Sequence, residues 1–552
     1  MCSIQRLAAA LLLLGLCLPA IAVAQSADTI RNRATEAYRQ RDFLRSAELF
    51  TAAAKLDEDG RAGLLYNAAC GFALAGRKDD AFAALEQAGA AGLDEVDQYK
   101  ADSDFASLHS DQRWQPMLDR VAERARAVRD FWTSPAMQTP FAANLTDDEK
   151  IAGLSKLWSE AKFNFIHFDK VPGLDWDALY LATLAKVRAT TSTLEYYRVL
   201  QAFAAELRDG HTGVWLPKEL SDEALARPLL RTALVEKRVI VTAVADPEAR
   251  GAGVVPGVEI VEVDGAPVLE YVERRVAPYQ SASTPQDLEA RAYGWALLEG
   301  AKSKPVELTL RNASGASVSR TVTRRASREY WDAFRGEPMV FRMLPGNIAY
   351  VALNTFNDNR AAEMFEAAFP EIAKADAIVF DVRENGGGNS GVGYRVLACL
   401  SDAKFLGSRW ATREYRPTYR AWGRREGRFE GSPDSVAPNT KLLFTKPVVV
   451  LASARTYSAA EDFLVAFRGM KRGLIIGEPT GGSTGQPLMF PLPGGGGARI
   501  CTKADSGPDG TEFVGVGVVP NRVVRRTVKD VRAGRDAVLE AAVATLAKTG
   551  HE

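Results

Sequence analysis

Cysteine and histidine are scarce in this sequence, and neither is spaced for a metal site. The 552 residues include 5 Cys and 4 His. Neither a zinc-finger spacing nor the HExxH pattern of metallopeptidases occurs, so the spacing argues against zinc. The four histidines are far apart, at His109, His167, His211 and His551. We therefore expect no bound metal and no other cofactor.

An excess of charge of either sign is also lacking. Lys plus Arg and Asp plus Glu both number 69. Such a balance provides no basic footprint for nucleic acid and no acidic tail, so we expect no nucleic-acid partner. A chain of 552 residues exceeds what one hydrophobic core supports, and several domains are therefore expected.

Long apolar runs are missing beyond the N-terminus. Residues 1–24 carry one early positive charge, then an apolar run over 7–18, then the small-x-small triplet AVA at 22–24. This order is typical of a secretory signal peptide, and the run is too short to cross a bilayer. Leu16 argues against lipidation of Cys17, because a small residue is expected before a lipidated Cys. We expect an exported chain, periplasmic or secreted, with no transmembrane anchor.

Removal of that segment would leave Cys70, Cys399 and Cys501. An odd number of cysteines leaves at least one free thiol in an oxidising compartment. The sequence leaves open whether Cys399 and Cys501 pair.

Helical periodicity dominates residues 28–128. Apolar and Ala positions recur at helical spacing in two helix pairs offset by about 34 residues, which matches a tetratricopeptide-like repeat. A plain helical bundle is the alternative. Either structure is a packing or docking module that would recruit a protein partner.

Three further regions follow along the chain. Residues 147–227 are predicted to begin with a helical stretch over 147–208, which ends in the DGHTG turn at 209–213 that carries His211. Residues 228–325 show the order strand, VPG turn, strand, DG turn, helix and hairpin, which is that of a PDZ-like domain binding extended peptides. From 335 to 548, strands and helices alternate, which indicates an α/β layer. The predicted fold class is therefore multi-domain α+β.

Ser458 is the first candidate for chemistry. It follows the apolar strand VVVLA and opens a helix, where the helix dipole and unpaired amides favour a developing oxyanion. The sequence SAAE at 458–461 also fits a capping box, and the local sequence taken alone favours this interpretation. His211, between two glycines in a turn, is the best imidazole to act as its base.

The loop NGGG at 385–388 follows the strand AIVFDV. Its glycines permit left-handed backbone and let amide N–H groups approach a substrate carbonyl. The pattern GxGxxG also fits this loop, but it is not in the first βα unit and no acidic residue ends the next strand. A dinucleotide site is therefore disfavoured, and an ordinary loop is the other alternative.

Five segments in this order resemble the S41 peptidase family, which includes tail-specific processing peptidases, the tricorn core and the interphotoreceptor retinoid-binding proteins. They are DGHTGV, FDVRENGGG, SARTYSAAEDF, LIIGEPTGG and GVGVVPN, and they lie between about 147 and 527. The resemblance implies an α/β catalytic domain of the ClpP/crotonase type. Residues 147–227 would then be the helical N-terminal part of the peptidase unit, and the helical residues 28–128 lie outside that unit.

The resemblance also bears on the general base. Processing peptidases of this family use a Lys 25 residues beyond the nucleophile, and this chain has Ser483 there. The resemblance then implies His211 as base, as in the tricorn-like branch, oriented by a Glu. That position holds Val514 here, so Glu512 is the candidate on the same strand face, with Asp509 as the fallback. Tricorn-like members carry Ser before the His, whereas this chain has Gly210.

The sequence thus predicts an exported serine peptidase acting on polypeptides through an acyl-enzyme. The catalytic residues would be Ser458, His211 and Glu512, and the amides of Ala459 and of Gly387 or Gly386 would hold the oxyanion. The first alternative is a catalytically silent S41-fold binding protein for an apolar ligand or peptide. The second is a scaffold whose helical repeats and PDZ-like block recruit partners.

Overall fold

The computed structural model describes residues 26–549, which form two compact units, 26–135 and 136–549. The predicted signal peptide, Cys2, Cys17 and His551 lie outside the described residues. Within the described part of the chain, no helix combines the length and apolar character needed to span a membrane.

The first unit is helical. Its helices are α1 (Ala27–Arg39), α2 (Phe43–Ala53), α3 (Arg61–Leu74), α4 (Lys78–Ala90), α5 (Val96–Ala101) and α6 (Trp114–Thr133). Ser26 and Asp42 cap the first two helices by accepting backbone N–H bonds. Consecutive helices pack against each other, and fully buried alanines such as Ala34, Ala47 and Ala69 let their backbones approach closely. The tetratricopeptide assignment stays a prediction.

The second unit begins with a helical region around its own core. The elements are α7 (Asp147–Asn164), α8 (Trp176–Ala189), α9 (Thr193–Ala205), the short strand β1 (Gly213–Trp215) and α10 (Ser221–Ala224). Large aromatic side chains, including Phe165, Tyr196 and Tyr197, fill this core. The DGHTG turn connects α9 to β1, so His211 sits on a short segment anchored at both ends.

An antiparallel sheet follows, with strand order β2-β3-β4-β6-β7 and β5 paired to β4. Its elements are β2 (Leu230–Val235), β3 (Arg238–Val244), α11 (Pro247–Gly251), β4 (Glu259–Val263), β5 (Ala266–Pro267), α12 (Val268–Arg275), α13 (Pro285–Arg291), β6 (Val306–Arg311), β7 (Ser317–Val322) and α14 (Ser327–Phe334). The strands and helices occur in the predicted order. The PDZ-like name remains a prediction.

The remainder contains a six-stranded sheet of order β20-β16-β15-β10-β9-β8. Its neighbouring strands are parallel except for the antiparallel pair β8 and β9. The elements are β8 (Met339–Leu344), β9 (Ile348–Leu353), α15 (Arg360–Ile372), β10 (Ala377–Asp381), α16 (Ser390–Leu397), β11 (Phe405–Leu406), β12 (Arg409–Glu414), α17 (Pro417–Ala421), β13 (Gly427–Gly431), β14 (Ser435–Val436), β15 (Val448–Ala452), α18 (Ala459–Gly469), β16 (Gly473–Gly477), β17 (Pro487–Pro491), β18 (Gly497–Cys501), β19 (Lys503–Ser506), β20 (Arg522–Val523), α19 (Val528–Ala533) and α20 (Ala537–Thr549).

The central strand β15 is apolar throughout, and β10 is apolar up to Asp381 at its carboxyl end, because helices cover both sheet faces. Val448 and Val450 of β15 pack in one core with residues of α15, α16 and α18. Val449 and Leu451 point to the opposite face and pack with residues of α20. This confirms the predicted multi-domain fold of mixed helix and sheet, and it puts the carboxyl ends of β10 and β15 side by side.

A smaller sheet of order β1-β18-β17 lies in the same unit, and β1 pairs antiparallel with β18. This pairing joins the segment after His211 to a distant part of the chain. The three cysteines of the described residues are all free and buried, so Cys399 and Cys501 do not pair. Cys399 Sγ instead contacts the Arg395 carbonyl oxygen and the Asn439 side chain.

Candidate active site

Ser458 occupies a tight turn between β15 and α18. Its backbone has φ 55° and ψ −126°, a conformation that L-residues rarely adopt. Neighbouring loops hold the turn, since the Tyr457 amide donates to the Asn385 carbonyl at 3.0 Å and the Ser458 amide donates to the Ser483 carbonyl at 3.1 Å. Strain of this kind persists where the surroundings fix it, commonly at functional sites.

The Ser458 hydroxyl faces an imidazole. Ser458 Oγ lies 3.1 Å from His211 Nε2, and Ser483 Oγ lies 2.8 Å from His211 Nδ1. His211 is only 5% exposed. Its ring is therefore held on both nitrogens by hydroxyl groups, one from the predicted nucleophile and one from the position where the processing peptidases carry Lys.

The turn that carries His211 is fixed by neighbouring polar groups. Asp209 Oδ1 accepts the His211 backbone N–H at 3.0 Å, and the Arg499 guanidinium donates to the Gly210 carbonyl at 3.0 Å. Burial, together with nearby positive charges led by Arg499 and Arg291, holds the pKa of His211 well below its ordinary value. The imidazole is therefore neutral at pH 7 and free to accept a proton.

Tyr457 packs against the imidazole. The Tyr457 and His211 rings stack with centroids 5.3 Å apart and planes 11° from parallel. The Tyr457 hydroxyl donates to Asp287 at 3.3 Å. A Cβ on Gly210 would lie 1.7 Å from that hydroxyl oxygen, so any larger residue at this position would collide with Tyr457.

Glu461 is a buried acidic residue whose side chain hydrogen-bonds to the backbone of the nucleophile. It is fully buried and accepts the backbone N–H groups of Gly482 at 2.8 Å, Ser483 at 2.9 Å and Ser458 at 3.3 Å. Burial is the main cause that raises its pKa to about 8, although these hydrogen bonds act in the opposite direction. Glu461 thus ties the turn of Ser458 to the loop that carries Ser483. It forms the Glu half of the predicted capping box, while the Ser458 side chain contacts His211.

The glycine loop at 385–388 contacts the nucleophile, and its glycines differ in how close they come to Ser458. A Cβ on Gly387 would lie 2.6 Å from Ser458 Cβ, whereas a Cβ on Gly386 would meet nothing within 4 Å. The Gly387 amide already donates to Asn385 Oδ1 at 2.9 Å. Among the described residues, none accepts a hydrogen bond from the Ala459 amide, which begins α18.

The placement of Glu512 requires a correction. Its carboxylate contacts Lys170 at 3.2 Å and is 73% exposed, and the partner at His211 Nδ1 is Ser483. The strand assumed for this segment is reduced to an isolated bridge from Glu512 to Ser506, followed by a turn with positive φ at Gly515 and Gly517. Strand alternation therefore does not apply here. The fallback Asp509 is also exposed and caps its own turn by accepting the Thr511 amide.

Sequence reasoning missed three contributors to the site: Ser483, Glu461 and Tyr457. Ser483 stands where Lys is absent, and a lone hydroxyl residue carries no sequence signal for a role beside an imidazole. The sequence predicts Glu461 as part of a helix cap. A signal for its wider role exists, because a capping Glu at a buried helix start must be surrounded by several hydrogen-bond donors.

The fold and the site define a class: an α/β protein with a serine in a strained turn at a helix start, next to a buried histidine. Residues 347–524 match the family described as "Peptidase family S41". This region of the chain, which contains Ser458, is therefore similar to peptidase family S41, as the sequence motifs indicate.

Individual relatives agree with this. Over 294 residues the chain is 25% identical to carboxyl-terminal-processing peptidase 2, chloroplastic, of Arabidopsis thaliana, covering 51% of this chain and 49% of the relative. Over 176 residues it is 32% identical to the chloroplastic C-terminal processing peptidase of Tetradesmus obliquus, covering 32% of this chain and 34% of the relative. The chain thus spans less than half the length of each of these two relatives.

A solved structure shares the fold. The structure of mature CPAF complexed with lactacystin has a TM-score of 0.57 and 16% identity, and the match covers 73% of this chain and 97% of that chain. At this identity the likeness is one of fold alone. It extends well beyond residues 347–524 and therefore includes elements outside the matched family region.

Proposed function

We propose that this chain is an exported serine peptidase that cleaves peptide bonds in polypeptides, with Ser458 as nucleophile and His211 as general base. The observation that carries the proposal is the 3.1 Å separation of Ser458 Oγ and His211 Nε2. This is within hydrogen-bond reach for proton transfer. The strained backbone of Ser458 and the neutral, buried imidazole support the same assignment.

The reaction would proceed in two halves. His211 Nε2 takes the Ser458 hydroxyl proton while Oγ attacks the peptide carbonyl carbon. The tetrahedral intermediate collapses, the C–N bond breaks, and the imidazolium gives its proton to the departing amine. A water molecule then gives a proton to His211 and attacks the acyl-enzyme, and the returning proton restores the Ser458 hydroxyl.

Ala459 is proposed as the first oxyanion donor. Its amide lies at the N-terminus of α18, where the helix dipole favours negative charge. Gly387 is proposed to bring its loop against the nucleophile, and its amide can serve as a second donor by sharing its bond with Asn385 Oδ1. Gly386 is exposed and is the weaker candidate.

Ser483 is proposed as the group that orients the imidazole, in place of the Glu expected from the sequence. For Nε2 to accept a proton, Nδ1 must carry the hydrogen and donate it to Ser483 Oγ. A hydroxyl can hold this tautomer but stabilises the imidazolium less than a carboxylate does. We therefore expect slower turnover than in an enzyme with a Ser-His-Asp triad.

The substrate and partners are also proposals. The names of the relatives support processing near the C-terminus of a polypeptide. The PDZ-like residues 228–325 would capture an extended segment as an added strand, and the helices of residues 28–128 would bind a protein partner. Export predicts that the mature chain begins after Ala24, which N-terminal sequencing of protein recovered from the periplasm or medium tests.

Digestion of an unfolded protein tests the activity. We expect purified wild type to cleave denatured casein and Ser458→Ala and His211→Ala to lose this cleavage. Ser408→Ala is the matched control, because its buried hydroxyl donates to Asp462 at 2.7 Å and not to the site. Folded wild type that cleaves no protein or peptide would favour the alternative, a catalytically silent binding protein for an apolar ligand or peptide.

A further inference from the structure

Three side chains of metal-ligating type, from separate parts of the sequence, lie close together at the turn that carries His211. One ring nitrogen of His167, a carboxylate oxygen of Asp209 and Cys501 Sγ all lie within 4.8 Å of one another. The three residues are buried, with exposures of 4%, 2% and 0%. Their distance along the chain is why residue spacing gave no sign of the cluster.

The hydrogen bonding around this cluster is incomplete. Within residues 26–549, no group hydrogen-bonds to His167 Nε2, although that atom is buried. A buried polar atom without a partner is unfavourable, so such atoms in a native fold call for a ligand or another explanation. Cys501 Sγ makes weak contacts, at 3.4 Å to the Lys503 carbonyl oxygen and 3.9 Å to the Thr484 carbonyl oxygen. Both side chains therefore retain the capacity to bind a ligand.

We propose that His167, Asp209 and Cys501 form a binding site for a thiophilic divalent cation of the Zn²⁺ type. Thiolate, imidazole and carboxylate are the three ligand types that Zn²⁺ prefers, at about 2.0–2.3 Å. In a tetrahedral site such ligand atoms lie about 3.5 Å apart, so closing the cluster requires side-chain shifts of about 1 Å. A water molecule would take the fourth position.

Charge also balances in this arrangement. On binding, the Cys501 thiol loses its proton to solvent, and the resulting thiolate and the Asp209 carboxylate together neutralise the two positive charges of the cation. The imidazole of His167 binds in its neutral form. No oxidation or reduction is involved.

The site is joined to the proposed catalytic turn through Asp209. Its Oδ1 already accepts the His211 amide N–H at 3.0 Å, while Oδ2 accepts a long hydrogen bond from the Ser283 hydroxyl at 3.5 Å. On the other side, the Cys501 amide donates to Thr212 Oγ1 at 3.1 Å. A cation held by Oδ2 and Sγ would therefore fasten the turn 209–212 to β18, and we expect it to stabilise the fold without removing the hydrogen bond to His211.

Cobalt titration of the metal-stripped, tag-free protein tests this proposal. We expect one equivalent of Co²⁺ to produce a thiolate-to-cobalt charge-transfer band and the visible bands of a four-coordinate site, and Zn²⁺ to abolish both. Cys501→Ser should lose the charge-transfer band, and His167→Gln, which removes a direct ligand, should weaken Co²⁺ binding by more than the roughly 10- to 100-fold that loss of a residue supporting a ligand causes. Cys399→Ser removes another buried thiol and should leave the spectrum unchanged.

A second readout does not depend on the variants folding. Zn²⁺, unlike Mg²⁺, should raise the melting temperature of the wild type. Absence of the charge-transfer band in the wild type, or its loss in Cys399→Ser instead of Cys501→Ser, would overturn the proposal. Neither measurement uses peptidase activity, so the metal site and the proposed function stand or fall separately.

Discussion

Replacing Ser483 by Ala tests how the imidazole is oriented. The change removes the hydroxyl that lies 2.8 Å from His211 Nδ1 and, at a position that is 0% exposed, leaves that nitrogen without its observed partner. In the transition state His211 carries a positive charge, and a hydrogen bond to a charged group contributes about 1.5–3 kcal/mol. Because each 1.4 kcal/mol is a factor of ten in rate, we expect kcat to fall about 10- to 100-fold.

The assay is the rate of hydrolysis of a fluorogenic peptide, compared among wild type, Ser483→Ala and Ser408→Ala at equal folded fraction. Ser408→Ala removes a buried hydroxyl that bonds to Asp462, so it controls for the general cost of losing such a bond and should keep kcat near the wild-type value. KM should change little in Ser483→Ala, because the lost bond is strengthened only as charge develops. If Ser483→Ala turned over at the wild-type rate, the reasoning about Ser483 would be refuted.

Three further predictions concern the same site. Gly210→Ala should lower the melting temperature and the activity, since its Cβ would lie 1.7 Å from the Tyr457 hydroxyl oxygen and overpacking costs about 1–3 kcal/mol. Adding Tyr457→Phe should restore part of the melting temperature and part of the activity. A double variant without any such rescue would contradict this explanation. Gly387→Ala should abolish activity, because Gly387 has a φ of 97° and its added Cβ would collide with Ser458. Gly386→Ala should be tolerated, because its added Cβ would meet nothing within 4 Å. Equal activity of the two variants would count against the proposed loop geometry. Burial raises the pKa of Glu461 from 4.5 to about 8. Its contribution to the free energy of unfolding should therefore be complete below pH 4.5 and lost as the pH rises through about 8. Urea unfolding of Glu461→Gln should show a flatter pH dependence than that of the wild type over this range.

The sequence predicted the parts of this site that carry strong local signals. Ser458 after an apolar strand and His211 between glycines were both identified, and the structure brings them within 3.1 Å. The alternation of strands and helices from 335 to 548 predicted an α/β layer, and the structure has a six-stranded sheet there with helices on both faces.

The partner of His211 Nδ1 was not predictable in the same way. The prediction of Glu512 rests on strand alternation, but the positive φ angles at Gly515 and Gly517 turn the chain instead. Ser483 is a small hydroxyl residue in a glycine-rich loop, and its position depends on the bonds that its neighbours make to Glu461. Contacts that depend on tertiary structure in this way leave no periodic pattern in the sequence.

Labelling with a fluorophosphonate tests the central claim most directly, because this reagent forms a stable bond only with an activated serine. Wild type should gain one adduct by intact mass, and peptide mapping should assign the adduct to Ser458. Ser458→Ala should gain none, and His211→Ala should label at a strongly reduced rate. Folded wild type that remains unlabelled, or an adduct on another serine, would contradict the assignment of Ser458 as the nucleophile.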